Sequence, residues 1–223
     1  MPKLGMEPTR RAAIINAALT CINLYGMDGT TLDKVAESAG CSKGVVAYYF
    51  KNKDNLIVEA FRSFLAYFGQ KIEAELEPGI TAEAMLDVVL HHILPPYQED
   101  AEADINVSPL DGAEKMAIPY VAMGRLFVQF FSRAVLDSRL QEVAAQSYRE
   151  DQKGIAKIFE YGSRTGHFAV QEPANAAYGL LAMAVGLSFF RVSGVEPPGG
   201  GDNRSIFEEY VDRFRTDREE GEK

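Results

Sequence analysis

Tryptophan is absent from this chain of 223 residues, and only two cysteines occur, Cys21 and Cys41. Two cysteines cannot build a disulfide framework, and their spacing matches no structural zinc site. We interpret them as small apolar side chains in a reducing cytosol. No cofactor is predicted from the sequence.

Long hydrophobic runs are missing too. The most apolar stretch, residues 179–190, is 12 residues long, whereas a helix that crosses a bilayer needs about 20. Near the N-terminus, the apolar residues that follow Arg10 and Arg11 are interrupted by Asn16 and Asn23. No signal peptide is therefore predicted. We expect a cytoplasmic protein that has no membrane partner.

Motifs typical of enzymes are also lacking. The sequence contains no HExxH, no GxSxG, no phosphate-binding glycine loop and no Cys/His set suited to a nucleophile and its base. Glu83, Asp87 and His91 share one face of a predicted helix and have side chains that bind metals. A solvated polar face is the preferred interpretation. We predict no catalytic residue and no metal site.

Charge is distributed unevenly along the chain, although the net charge of −9 at first argues against nucleic-acid binding. Residues 1–55 carry seven Lys and Arg against five acids, a net charge of +2, and the remainder carries −11. An acidic body with a mildly basic head is typical of a protein that touches phosphates through one end only.

Apolar residues recur at helical spacing along the whole chain, and no alternation typical of strands is present. Proline, glycine and capping residues divide the pattern into predicted helices over residues 9–25, 30–39, 42–49, 53–76, 81–94, 111–136 (with a kink at Pro119), 138–165, 173–191 and 206–214. Residues 97–109 are predicted to form an acidic loop. We expect an all-α fold with a three-helix head over residues 1–52, a larger helical body over 53–217 and a mobile acidic tail over 218–223.

The head contains two short helices that flank a turn, which is the arrangement of a helix-turn-helix. Thr30, with Asp33 three residues later, predicts a capped start of the first helix. Gly40 suits the left-handed position that ends this helix, and Ser42 caps the second helix. If Val46 and Phe50 face the core, the helical period directs Gly44 and Tyr48 outward.

The outward face of the second helix is suited to a DNA major groove. Val45 and Ala47 would contact thymine methyl groups, Gly44 would allow close approach, and Lys43 would donate to guanine or to phosphate. Phosphate contacts are predicted for side chains at the helix ends. These residues are Thr30, Thr31, Tyr48, Tyr49, Lys51 and Lys53.

The segment Thr30 to Leu56 resembles the TetR family of transcriptional regulators. The resemblance rests on a pattern of spaced apolar, glycine and polar residues. Its members here are Thr31, Leu32, Val35, Ala36, Ala39, Gly40, Ser42, Gly44, Val46, Phe50, Lys53 and Leu56. Within this family, residues 1–60 are most similar to the choline-sensing repressors of betaine operons, and we do not extend choline sensing to the body of the chain.

The resemblance implies a homodimer that binds a pseudo-palindromic double-stranded DNA operator and releases it when a small molecule of unknown identity binds the body. In the family, the last two long helices form the dimer interface, here residues 138–165 and 173–191. A nearly apolar helix such as 173–191 also needs a cover on every side. Candidate residues for an effector pocket are aromatic or flexible apolar side chains. They are Phe64, Phe68, Tyr97, Met123, Phe127, Phe130 and Phe131.

Two other functional classes remain open. One is an all-α enzyme that uses a pocket in the body, and the other is a helical interaction module whose head does not bind DNA. The intact set of Lys43, Tyr48, Tyr49 and Lys53 favours a DNA-binding regulator over both.

Overall fold

The computed structural model describes residues 7–93, 102–105, 116–200 and 203–216. Helices dominate this part of the chain, which confirms the predicted fold class. The elements in chain order are α1 (Glu7–Gly29), α2 (Leu32–Ser38), α3 (Lys43–Phe50), α4 (Lys53–Glu75), α5 (Ala82–Ile93), β1 (Glu102–Ile105), β2 (Met116–Pro119), α6 (Tyr120–Ala134), α7 (Ser138–Arg164), α8 (Pro173–Val192), a 3₁₀ turn (Pro198–Gly200) and α9 (Asn203–Asp212).

Two short strands occupy a region for which a loop and a helix were predicted. β1 and β2 pair antiparallel, with Glu102 opposite Pro119 and Ile105 opposite Met116. The predictions of a loop over residues 97–109 and of a helix from residue 111 are therefore wrong at these positions. Pro119 provides the reason, because proline disfavours the helical conformation of the residue before it and suits the first turn or the edge of an element. α6 accordingly begins directly after it.

The described residues divide into two compact units. One unit combines the chain up to Tyr67 with residues 102–105 and 116–146, and the other combines residues 68–93 with 147–200 and 203–216. Neither boundary coincides with residue 53, where the sequence suggested that the head ends. Residue 53 begins α4, and this helix continues past it to Glu75. The functional division into head and body stays a prediction, and the acidic tail lies outside the described residues.

In the first unit, α1 buries the face on which its apolar residues recur at helical spacing. Ile14, Ile15, Leu19 and Ile22 are buried. Tyr25 was expected on the same face, but half of its surface is exposed. The regular helix ends there because Gly26 has φ 71° and ψ 169°, which turns the chain away.

Each helix of the helix-turn-helix, α2 and α3, begins with an N-cap residue. Ser42 caps α3 as predicted, since its hydroxyl accepts from the backbone N–H of Val45. α2 is capped by Thr31, whose hydroxyl accepts from the N–H of Lys34. The predicted cap at Thr30 is therefore wrong by one residue. Between the helices, Gly40 has φ 60°, the left-handed conformation expected for it.

Only two residues connect α3 to α4, and one of them is strained. Lys51 has φ 65° and ψ −53°, and the N–H of Asn52 donates to the carbonyl of Phe50 over 2.8 Å. This is a γ-turn with positive φ, a conformation that is rare for a residue with a side chain. Asn52 then accepts from the N–H of Asn55 and caps α4.

The second unit has one hydrophobic core built by α5, α7, α8 and α9. Phe159, Leu180 and Phe207 are fully buried in this core. The segment after α7 is held against the segment after α9 by an antiparallel bridge between Phe168 and Arg215. The N–H of Ala169 also donates to the carbonyl of Phe214 over 2.7 Å. The end of α9 is therefore fixed to the turn that precedes α8.

The apolar helix α8 is only partly covered. Ala177 and Leu180 are buried, whereas Tyr178, Phe189 and Phe190 are 67%, 53% and 51% exposed. This helix is long and apolar enough to cross a membrane by length and composition alone, and the core helix of a soluble protein can share both properties. The absence of a membrane partner stays a prediction.

Candidate nucleic-acid interface

α3 presents two chemically different faces. Val46 and Phe50 are buried against the rest of the head, as the helical period predicts, while Gly44 is exposed and Tyr48 is 70% exposed on the opposite side. Val45 and Ala47 flank this exposed face and are partly accessible. A short helix with a small apolar and aromatic outer face fits the groove-facing element of a helix-turn-helix.

Gly44 has free space around its Cα. A Cβ added there would meet only the hydroxyl of Ser42, at 3.8 Å. The fold therefore does not require glycine at this position. A requirement for glycine would have to come from a surface that approaches the helix from outside.

Lys43, the first residue of α3, is held by an acidic side chain of α2. Its ammonium donates to the carboxylate of Asp33 over 2.8 Å, although both side chains are largely exposed. Sequence reasoning treated Asp33 only as part of a helix cap and did not anticipate this pair. The sequence gives only a weak indication of this pair: Asp33 and Lys43 are ten residues apart and lie in the first turns of two adjacent helices.

Two further lysines of the head bind backbone carbonyls at the end of α1. Lys53 donates to the carbonyl of Asp28 over 3.0 Å, and Lys34 donates to that of Gly29 over 2.8 Å. The ammonium of Lys34 also lies 4.1 Å from the centre of the Tyr25 ring. Lysines near the C-terminal carbonyls of a helix are favourable for its dipole.

The remaining predicted phosphate contacts differ in accessibility. Tyr48 and Tyr49 lie edge to face with ring centroids 5.2 Å apart, and Lys51 is exposed beside them. Thr31 is exposed at the start of α2. Thr30 is 1% exposed and its hydroxyl donates to the carbonyl of Gly26 over 2.8 Å. The predicted phosphate contact of Thr30 is therefore wrong for this structure, because its hydroxyl is used inside the head.

Comparison with known proteins gives the same reading of the head. Residues 14–60 match the family described as bacterial regulatory proteins, tetR family. A transcriptional regulator named BetI from Serratia proteamaculans is 36% identical over 77 residues, which cover 34% of this chain and 39% of that protein. The head of this chain is similar to the TetR family. The BetI proteins that it matches are named transcriptional regulators.

The similarity continues past the head. BetI from Klebsiella pneumoniae is 29% identical over 191 residues, which cover 84% of each chain. The expectation that the likeness stops before the body is therefore wrong. A solved structure of a transcriptional regulator from Saccharomonospora viridis in complex with choline has a TM-score of 0.71 at 18% identity, covering 92% of this chain and 97% of that one. At that identity the likeness shows a shared fold alone.

Several residues predicted for an effector pocket meet in the first unit. The rings of Phe61 and Phe130 are stacked with centroids 4.6 Å apart, and Phe131 lies edge to face with Phe61 at 5.5 Å. Phe64 is 5.8 Å from Phe130, and Phe127 is 4.4 Å from Phe131. Phe61 belongs to this group and was missed, although it precedes Phe64 by three residues and so shares its helix face.

The remaining residues of the predicted pocket set differ in their location. Met123 is buried in the first unit, Phe68 belongs to the second unit, and Tyr97 lies outside the described residues. The close ring contacts are those of a packed aromatic core. The assignment of these residues to an effector pocket stays a prediction.

The polar face of α5 forms ion pairs instead of a metal site. Glu83 lies 3.6 Å from His167, and Asp87 lies 3.6 Å from Arg204. Glu83, Asp87 and His167 also line a cavity of about 420 Å³. Within the described residues, no group of three metal-binding side chains comes together. His91 therefore does not complete a metal site with the two carboxylates here.

Proposed function

We propose that this chain is a homodimeric transcriptional repressor in the cytoplasm that binds a pseudo-palindromic DNA operator and is released by a small molecule. The observation that carries the proposal is the two-faced helix α3, with Val46 and Phe50 buried and Lys43, Gly44 and Tyr48 exposed. The match to the tetR family of bacterial regulatory proteins supports it, because the matched residues 14–60 contain the whole helix-turn-helix.

The mild charge of the head limits the electrostatic part of binding. Three lysines of the head, Lys34, Lys43 and Lys53, already have partners within it. Few free cations face the phosphates, so a single head would bind DNA weakly. Two heads on half-sites a helical turn or more apart give a useful affinity and a palindromic preference.

Dimerisation through α7 and α8 is supported by the exposed aromatic surface of α8. Tyr178, Phe189 and Phe190 leave more than half of their surface accessible in the free chain. Exposed aromatic side chains are enriched at interfaces between proteins. A second copy would cover it and would place two α3 helices in one assembly.

For the effector, we propose choline or another quaternary ammonium compound as the first class to test. The Klebsiella relative carries the name BetI, and the Saccharomonospora structure holds choline. The aromatic group around Phe61 and Phe130 supports this class, since aromatic faces attract quaternary ammonium ions. Opening of that packed group would have to accompany binding.

The decisive experiment measures DNA binding by the purified full chain. Fluorescence anisotropy of a duplex enriched from a random-sequence library should show tight binding, with affinity falling steeply as salt rises from 50 to 200 mM. Addition of choline should release the duplex, whereas an uncharged analogue of similar size should not. Failure to enrich any duplex at 50 mM salt would reject the repressor, and a stable monomer in light scattering would reject the dimer.

A further inference from the structure

We propose that Asp33 is a positioning residue that sets the base selectivity of the recognition helix α3 by holding Lys43. The proposal rests on the function proposed above. Asp33 lies on the predicted DNA-facing surface, where an acidic residue would by electrostatics alone be expected only to weaken DNA binding.

The starting observation is the location of the ion pair. Asp33 lies in the first turn of α2, and Lys43 is the first residue of α3. Their 2.8 Å contact places the carboxylate beside the groove-facing helix, close to the exposed Thr31 at the start of α2. A carboxylate at that position repels phosphates, so an unpaired acid there would weaken DNA binding.

Stability of the free protein does not account for the pair. Asp33 and Lys43 are 67% and 59% exposed, and an exposed ion pair typically contributes between zero and about 1 kcal/mol. The head has other acceptors for its lysines, since Lys34 and Lys53 bind carbonyls at the end of α1. Lys43 differs from both because its partner is a charged side chain on the predicted DNA-binding face.

Two consequences follow for Lys43 in a DNA complex. Its charge is neutralised by Asp33, so it adds little to sequence-independent attraction to phosphates. Its ammonium is held at the start of α3, where a lysine can donate to the O6 and N7 atoms of guanine. Lys43 therefore contributes mainly to base recognition, because its ion pair with Asp33 competes with a contact between its ammonium and the nearest phosphate.

The test compares Asp33→Asn with the wild-type protein on two duplexes. One is the duplex enriched from a random library by the wild-type chain, and the other is a scrambled duplex of equal length and composition. Asp33→Asn should bind the scrambled duplex on the order of fivefold more tightly at 50 mM salt and should steepen the slope of log affinity against log salt by about one. Discrimination between the duplexes should fall by about threefold to tenfold.

Three further variants separate positioning from simple charge. Asp33→Glu keeps the carboxylate and should stay within about twofold of wild type in slope and discrimination. Lys43→Gln should weaken binding to both duplexes because it exposes an unpaired acid, and Asp33→Asn added to it should recover the loss on the scrambled duplex only, since the guanine donor is still missing. Lys51→Gln is the matched control, since Lys51 has no ion-pair partner among the described residues. It should lower the slope by about one and leave discrimination unchanged.

Each outcome has one meaning. Equal tightening on both duplexes with unchanged discrimination would overturn the proposal, because Asp33 would then act only through net charge. Equal weakening on both duplexes would also overturn it, since Asp33 would merely support the fold, as a lowered melting temperature would report. If the wild-type chain enriches no duplex, the repressor function itself fails. If it does and Asp33→Asn keeps its selectivity, only the role of Asp33 fails.

Discussion

Gly162, in the last turn of α7, is expected to be one of the least replaceable residues of the second unit. A Cβ built at this position would overlap the ring of Phe168, approaching its Cε2 atom to 2.8 Å and the Cβ of Ala82 to 3.0 Å. Both neighbours are buried. The carbonyl of Gly162 also accepts from the N–H groups of His167 and Phe168, so the backbone cannot simply move away.

The magnitude follows from two opposing terms. Alanine is favoured over glycine inside a helix by about 1 kcal/mol. Forcing a methyl group into a packed core costs about 1–3 kcal/mol, and more when the surrounding groups are held from several sides. Phe168 is held by the ring of Phe159 at 5.5 Å and by the bridge to Arg215. With the overpacking cost at the upper end of this range, we expect Gly162→Ala to lower the free energy of unfolding by about 2 kcal/mol.

Gly154 provides a matched control in the same helix. It is exposed, and a Cβ there would meet nothing within 4 Å. Gly154→Ala should therefore raise the free energy of unfolding by about 0.5–1 kcal/mol. Gly69→Ala in α4 has the same free space and should behave alike. It lies outside the helices proposed for dimerisation, so it separates folding from association.

The assay is urea unfolding followed by circular dichroism at one fixed protein concentration. The two alanine variants in α7 should differ by about 3 kcal/mol in the free energy of unfolding. Phe168→Leu combined with Gly162→Ala should recover part of the loss, because leucine removes the ring edge that the new methyl group meets. Equal stability of Gly162→Ala and Gly154→Ala would refute the packing described around Phe168.

Three other perturbations test separate features. Lys51→Gly should stabilise the protein by about 1 kcal/mol in the same urea assay, because strain at positive φ exceeds the entropy cost of glycine; destabilisation would contradict the strained turn. Gly44→Ala should leave the melting temperature unchanged or raised, yet weaken anisotropy-detected DNA binding at least tenfold if DNA approaches the backbone; unchanged affinity would exclude that approach. Desolvation, reinforced by Glu150, raises the pKa of Asp151 to about 6, so stability should fall by about 1 kcal/mol between pH 4 and pH 6 after allowance for its exposure. Asp151→Asn should remove that fall, and an unchanged profile would exclude Asp151 as its source.

The sign of the pH effect follows from the direction of the shift. A carboxyl group whose pKa is higher in the folded state binds its proton more tightly there than in the unfolded chain. Folding is therefore favoured while the group is protonated, and this contribution disappears as the pH rises through about 6. Asp151 lies on the exposed side of α7 in the free chain, so the solvent reduces the size of the effect.

Helical periodicity predicted the head almost residue by residue. Val46 and Phe50 are buried and Tyr48 is exposed because an eight-residue helix with one apolar face has a single way to pack. Capping residues located the starts of the helices, since a hydroxyl near the first free N–H groups is favoured at that position. The N-cap of α2 was predicted at Thr30 instead of Thr31 because two adjacent threonines give the same local signal. The break in α1 at Gly26 decides that Thr30 is the buried one.

Other features had no local signal in the sequence. The strands β1 and β2 are joined by backbone pairing between segments separated along the chain, and their four residues each are too short to display alternation. The partner of Lys43 depends on how α2 and α3 meet in space, and the partner of Lys53 on how α4 meets the end of α1. The aromatic group around Phe61 was only partly anticipated, because helix spacing identifies shared faces within a helix but does not predict partners between helices.

The two-residue link between α3 and α4 limits how a signal can travel through the first unit. Phe50, the last residue of α3, is buried in the core, and Asn52 caps α4. The γ-turn at Lys51 joins them directly, with no additional residue in the link. A rotation of the first turns of α4 is therefore expected to rotate α3 as well. Lengthening the link by one or two glycines would uncouple the two movements without removing any atom from the exposed face of α3.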